Sequence, residues 1–179
     1  GAEARLAAVP LDLLDANGTW HYAAGKLSLR DGAFRLEDRL VDDRFRPLLA
    51  RDATLTLENN RIAAFAALRE PSSDRVVTEA TIVHDLTSSR GHADLAVRNL
   101  VFDERLQPDT LTYLALGVIA NARGAVRGAG RIDWTGGEVT STGHFTTDKL
   151  DFAAAFGPVN GGSGTVEFTD LLGRVTAPD

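Results

Sequence analysis

The chain has 179 residues, 44% of them hydrophobic and 25% charged, the balance of a folded domain of ordinary size with a core of its own. A net charge of −6, with arginines scattered among carboxylates, argues against a nucleic-acid binder, whose affinity rests on a basic face, and against charge-driven docking on an anionic membrane. With no cysteine, disulfides, thiolate zinc sites and cysteine nucleophiles are excluded.

In chain order, Ala4 to Leu14 reads as a turn of helix broken by Pro10. Asn17-Gly18-Thr19 matches a glycosylation sequon, but is more simply an Asn-Gly turn ahead of Trp20 and Tyr22. Leu27 and Leu29 then alternate with Lys26, Ser28 and Arg30, which is the period of a strand. Asp31-Gly32 supplies a hairpin-type turn, and Phe34 and Leu36 resume the alternation. Glu37-Asp38 and Asp42-Asp43 read as solvated surface, since the regular oxygen spacing and bend glycine of a calcium loop are missing. Leu55 and Leu57 alternate with threonines, Asn59-Asn60 turn the chain, and Ile62, Ala64, Ala66 and Leu68 follow, with Phe65 on the other face.

The polar stretch at 70–74 is the best boundary candidate in what otherwise reads as one β-rich segment over 1–179. From Arg75 to Leu86, Val76, Thr78, Ala80, Ile82 and His84 share one face, and Val77, Glu79, Thr81, Val83 and Asp85 the other. A turn at Ser88–Gly91 leads to Ala93, Leu95 and Val97. Pro108-Asp109-Thr110 opens a short helix within 107–117. The longest apolar run, Leu114 to Ala120, falls far short of the roughly 20 residues that span a bilayer. Beyond it, Val126, Ile132 and Trp134 share a face with Gly128 and Gly130, and Val139, Gly143 and Phe145 continue the pattern. Gly161-Gly162-Ser163-Gly164 reads as a turn before a strand carrying Val166 and Phe168.

These elements predict a mostly β protein with about ten strands: a long antiparallel curved sheet with at most one or two short helices. Small residues among the inward positions (Ala64, Ala66, Gly128, Gly130, Gly143) suit a single curved sheet with an open apolar face better than a sandwich, whose two inner faces need bulk. The same glycines also fit ordinary bulges.

Motifs for chemistry are absent. His21, His84, His92 and His144 show no metal-ligand spacing, and His84 and Asp85 face opposite ways on a strand. His84 and His92 flank one expected hairpin, where they could approach. Ser163 lacks the strand–elbow–helix setting of a nucleophile. The glycines at 124, 128 and 130 lie in a strand without the Lys-Ser/Thr of a phosphate loop. No catalytic residue, metal ligand or cofactor site is expected.

Two long strings carry a resemblance. Residues 116–134 (LGVIANARGAVRGAGRIDW) and 143–158 (GHFTTDKLDFAAAFGP), followed by GTVEFTDLLG at 164–173, resemble the YdbH family, also labelled "dicarboxylate transport", among the AsmA-like bacterial envelope proteins that include TamB. The likeness is best over 75–179 and looser over 15–70. It implies a large periplasmic protein of a Gram-negative bacterium, anchored by one inner-membrane helix, whose long twisted sheet folds like a taco around an apolar groove. Phospholipid acyl chains would slide along that groove across the periplasm. The remainder of the parent chain and other envelope proteins would be its partners, and nucleic acid would not. The opening Gly1 and the ending Thr176-Ala177-Pro178-Asp179 fit a piece of such a protein. Nothing in the residues is suited to a dicarboxylate, because no paired Arg or Lys cluster occurs.

Candidate groove residues are the alternating apolar positions Leu27, Leu29, Phe34, Leu36, Leu55, Leu57, Ile62, Val76, Ile82, Leu95, Val97, Val126, Ile132, Trp134, Val139, Phe145, Val166 and Phe168. The plain alternative for each is an ordinary core contact. Two other functions compete. A structural or protein- or glycan-binding envelope domain would carry aromatics such as Trp20 and Tyr22 outside any groove, and would pair through its sheet edges. An enzyme would need His84 or His92 beside Asp85, Asp94 or a serine in a pocket.

Overall fold

The computed structural model describes residues 2–5, 11–40, 44–112 and 119–172. Among the described residues, alternation becomes a single meander of ten antiparallel strands, each hydrogen-bonded to the next. They are β1 (Ala2–Arg5), β2 (Leu11–Ala23), β3 (Lys26–Asp38), β4 (Leu48–Glu58), β5 (Arg61–Arg69), β6 (Val76–Asp85), β7 (Arg90–Phe102), β8 (Ile119–Thr135), β9 (Glu138–Ala154) and β10 (Gly157–Phe168). The first and last strands do not pair with each other, so the sheet stays open. The helix expected after Gln107 is a single 3-10 turn at Pro108–Thr110, and 113–118 lie outside the described residues. No helix turn forms in the described part of 4–14: Ala4 and Arg5 end β1, and Leu11 begins β2.

Three of the expected turns are not turns. Asn17-Gly18, Asp31-Gly32 and Gly161–Gly164 all lie inside strands, at breaks in register with a neighbour. Asp31 has φ 51° and Gly161 φ 62°, the left-handed conformation that a primed turn requires and that one kind of bulge also uses. Asn59-Asn60, at φ 50° and 59°, is the true two-residue turn that its sequence suggests. Register breaks occur in every strand pair except β6–β7. Bulges bend a strand and strengthen its twist, so this series curls the sheet.

The curl shows in the packing. Leu11 of β2 packs against the buried pair Ala93 (β7) and Ile132 (β8). Five strand spacings separate β2 from β7, about 24 Å in a flat sheet. At the end where β3 meets β4, Leu36, Leu48, Ala50, Ala53, Ala66 and Leu68 form one buried cluster. Leu100, Phe102, Leu106 and Ala122 form a second, and Val77 and Leu111 pack against both. The β3–β4 and β7–β8 connections close over this end: Arg46 N–H donates to the Leu111 carbonyl (2.8 Å), Arg46 Nε to the Asp109 carbonyl (2.9 Å), and the Thr112 hydroxyl to the Arg44 carbonyl (2.6 Å).

Leu106 is completely buried and held by reciprocal backbone bonds with Asp103. Leu106→Ala therefore leaves a cavity in the second cluster, and the expected loss is about 2–5 kcal/mol. A urea titration reads it as a lower midpoint at unchanged slope.

Candidate functional site

Register sorts the side chains into two faces. Across the sheet, Trp20, Leu29, Leu55, Ala64, Ile82, Ala93, Ile132 and Ser141 fall opposite one another in turn. So do Tyr22, Leu27, Leu57, Ile62, His84, Gly91, Trp134 and Val139. This inner face is almost wholly apolar. The outer face is charged, with ion pairs Glu79–Arg98, Asp94–Arg131 and Arg127–Asp148. A shallow, open depression where β5 to β8 end is lined by Arg61, Asp85, Arg90, His92 and Asp133 together with Val83 and Trp134, a mixture of polar and apolar groups.

The candidate groove residues divide into three groups. Leu36 and Ile132 are buried, and Phe34, Ile82, Leu95, Val97, Val126, Trp134 and Val139 pack against buried clusters; together they make the floor. Eight others share the inner face but are not among the side chains of those clusters. Leu27, Leu29, Leu55, Leu57 and Ile62 form a half-buried patch on β3–β5, extended by exposed Trp20 and Tyr22. Phe145, Val166 and Phe168 form a second patch on β9–β10, with Phe145 and Phe168 edge-to-face at 5.8 Å. Val76 is the exception. A register break between Leu68 and Arg69 pairs Val76 with Arg69, and Val77, assigned by simple alternation to the outer face, packs into the interior instead.

The inner glycines are covered by the chain itself. Trp134 lies over Gly91, where a Cβ would come within 2.6 Å of the indole, and Phe145 lies likewise over Gly128. Trp134 Nε1 donates to His84 Nδ1 at 3.0 Å, satisfying the indole N–H beside apolar surroundings. His84 and His92 sit on adjacent strands but opposite faces, since Val83 pairs with His92 and His84 with Gly91. His92 lies 3.6 Å from Asp94 on the open outer face. His21 and His144 are exposed there too. Among the described residues no group of three His, Asp or Glu is placed to hold a metal.

Sequence reasoning missed the buried ionic group. Asp38, expected on the surface, has a fully buried side chain paired with Arg44 (Nε to Oδ2, 2.6 Å; Nη2 to Oδ1, 3.0 Å). It also accepts the N–H groups of Arg44 (2.9 Å) and Leu40 (3.2 Å). Burial pushes its carboxyl upward, but these hydrogen bonds outweigh it and hold the group below its ordinary range. Asp42 and Asp43 lie outside the described residues. At the 70–74 loop, buried Glu70 accepts the N–H groups of Ser72 and Ser73 and the Ser73 hydroxyl, so the polar stretch is an internally bonded hairpin connection. On the surface, the Arg75 guanidinium grips Asp103 and holds its carboxyl down at about 2.

The architecture is that of an open, curled antiparallel sheet with a packed apolar face and a charged exterior. The sequence model of the YdbH-like family, described as "Intermembrane phospholipid transport protein YdbH", matches residues 1–179, the whole chain, and the chain belongs to that family. The likeness read as best over 75–179 and looser over 15–70 therefore covers the whole chain. No curated protein and no solved structure matches it.

Proposed function

We propose that this chain is a segment of an intermembrane phospholipid conduit that holds acyl chains against its inner face while head groups stay in solvent at the mouth. The observation that carries this reading is the pair of apolar lips, on β3–β5 and β9–β10, left half-open on a face whose reverse side is charged. An acyl chain gains about 0.8 kcal/mol for each methylene it buries, and lateral sliding exchanges one apolar contact for the next without any site chemistry. On this reading the parent protein works in the periplasm of a Gram-negative bacterium, anchored in the inner membrane, and the unpaired edges at β1 and β10 are where further strands of its sheet would add. What favours this over an envelope domain that binds proteins or glycans is the position of Trp20 and Tyr22: both share the apolar face with Leu29 and Leu27.

Both tryptophans of the chain, Trp20 and Trp134, lie on the inner face, which makes fluorescence the test. Phospholipid brominated on its acyl chains is expected to quench both, as Trp20→Phe and Trp134→Phe variants resolve singly, and native mass spectrometry of protein from bacterial envelopes is expected to show co-purifying phospholipid. No quenching by brominated chains together with a lipid-free mass at every loading would overturn the proposal.

A further inference from the structure

Beyond β10 the chain turns back over its own trough. Leu171 lies above β8 and β9: its Cδ2 is 2.8 Å from where a Cβ on Gly130 would stand, and its Cδ1 3.4 Å from one on Gly143. The leucine sits there because those two positions have no side chain. Leu172 packs against the Ala93–Ile132 pair, beside Leu11, Trp134 and Val139. Ser141 of β9, 3% exposed, fastens the segment. Its hydroxyl donates to Asp170 Oδ1 (2.8 Å) and accepts the Leu172 N–H (2.9 Å), while its carbonyl accepts the Leu171 N–H (3.4 Å). On the opposite side, Arg44 Nη1 of the β3–β4 connection donates to the Leu172 carbonyl at 3.0 Å. Residues Asp170–Leu172 thus cross the trough from β9 to the connection between β3 and β4, over the floor and between the two lips.

We infer that Asp170–Leu172 is a displaceable strap, occupying the trough when no lipid is bound and leaving it when an acyl chain enters. The inference rests on the acyl-groove reading above. Three features make the segment displaceable. It joins no strand ladder, so its release breaks no sheet pairing. Its apolar hold is two leucine side chains, fewer methylenes than an acyl chain brings to the same surface. Release also exposes the Ser141 hydroxyl to water, which replaces the partners it loses. A closed strap lowers apparent lipid affinity by the fraction of molecules in which the trough is occupied, so weakening the strap raises lipid loading.

The experiment compares the full chain with Leu171→Ser/Leu172→Ser and, separately, with Ser141→Ala, each exposed to vesicles of phosphatidylethanolamine and phosphatidylglycerol at sub-saturating lipid. Bound phospholipid per protein is expected to rise about threefold or more in both variants. In the unaltered chain, hydrogen exchange at the Leu171 and Leu172 amides is expected to be slow without lipid and fast with it. The double variant changes only the tail beyond β10, which keeps the comparison readable if Ser141→Ala disturbs the sheet. Lipid bound by the unaltered chain but unchanged or reduced in the double variant, or the two amides equally slow with lipid present, would make the segment a fixed wall of the trough and overturn the strap alone. An unaltered chain that binds no lipid, with no gain in either variant, overturns the groove reading and the strap with it.

Discussion

Arg44→Met is expected to lower the unfolding free energy by about 3–5 kcal/mol at neutral pH, because it strands a buried carboxylate. The Asp38 side chain has no exposed surface, and the Arg44 guanidinium supplies two of the four hydrogen bonds that reach it, the other two coming from the Leu40 and Arg44 backbone N–H groups. Methionine keeps the apolar stem, so the loss reports the missing charge rather than missing volume. Adding Asp38→Asn is expected to recover part of the loss, since no buried charge is left to solvate and the amide oxygen still accepts one of the two backbone N–H groups that reach the two carboxylate oxygens. Chemical denaturation of the two variants measures both effects.

The same pair sets a pH dependence. The folded-state pKa of Asp38 is lowered, so its contribution is complete above the unfolded carboxylate value of about 3.9 and is lost as pH falls through the folded value. In Arg44→Met only two backbone donors remain against the burial that pushes the carboxyl upward, and protonation relieves the stranded charge. The stability gap between the parent chain and Arg44→Met therefore narrows as pH falls from the variant's upward-pushed carboxyl value towards the lowered value of the parent. A gap that stays constant down to pH 3 would remove the ion pair as its cause.

The sheet was legible in the sequence because period-two alternation survives burial on one face and solvation on the other. Leu27 and Leu29, or Ile132 and Trp134, lie where that rhythm places them. Turn chemistry was less legible, since Asp-Gly and Asn-Gly signal local backbone freedom without saying whether a hairpin or a bulge will use it. Asp31-Gly32 and Asn17-Gly18 bend strands, whereas Asn59-Asn60 ends one. Val76 and Val77 show the consequence: one extra residue in the ladder exchanges the faces of everything on the near side of it. Contacts distant in sequence were not legible at all. Asp38 and Arg44 look like surface charges until the curl buries them, and Ser141 is one of several serines and threonines in β9 until Leu172, 31 residues on, returns to it. Glycines 130 and 143 hinted at close approach to the sheet face, but not that the chain's own Leu171 makes it.

Ile62 and Ala63 give the most direct reading of the two faces. Ile62 stands on the inner face between Leu57 and His84, half-buried and outside the buried clusters. Ala63, its neighbour, stands on the outer face between Thr56 and Val83 and is exposed. Aspartate is a poor strand residue at both positions, so the intrinsic backbone penalty is similar. Only Ile62→Asp places a carboxylate where an acyl chain would cover it, and covering an unpaired charge costs several kcal/mol, each 1.4 kcal/mol being tenfold in affinity. Phospholipid bound by Ile62→Asp is expected to fall more than about tenfold, with Ala63→Asp within about twofold of the parent chain. Circular dichroism melts of both variants check that the sheet persists. Equal lipid binding by the two would mean that acyl chains do not lie on the β3–β5 lip. Equal loss in both, with folding intact, would mean that lipid binding responds to added negative charge anywhere on the sheet rather than to the apolar face.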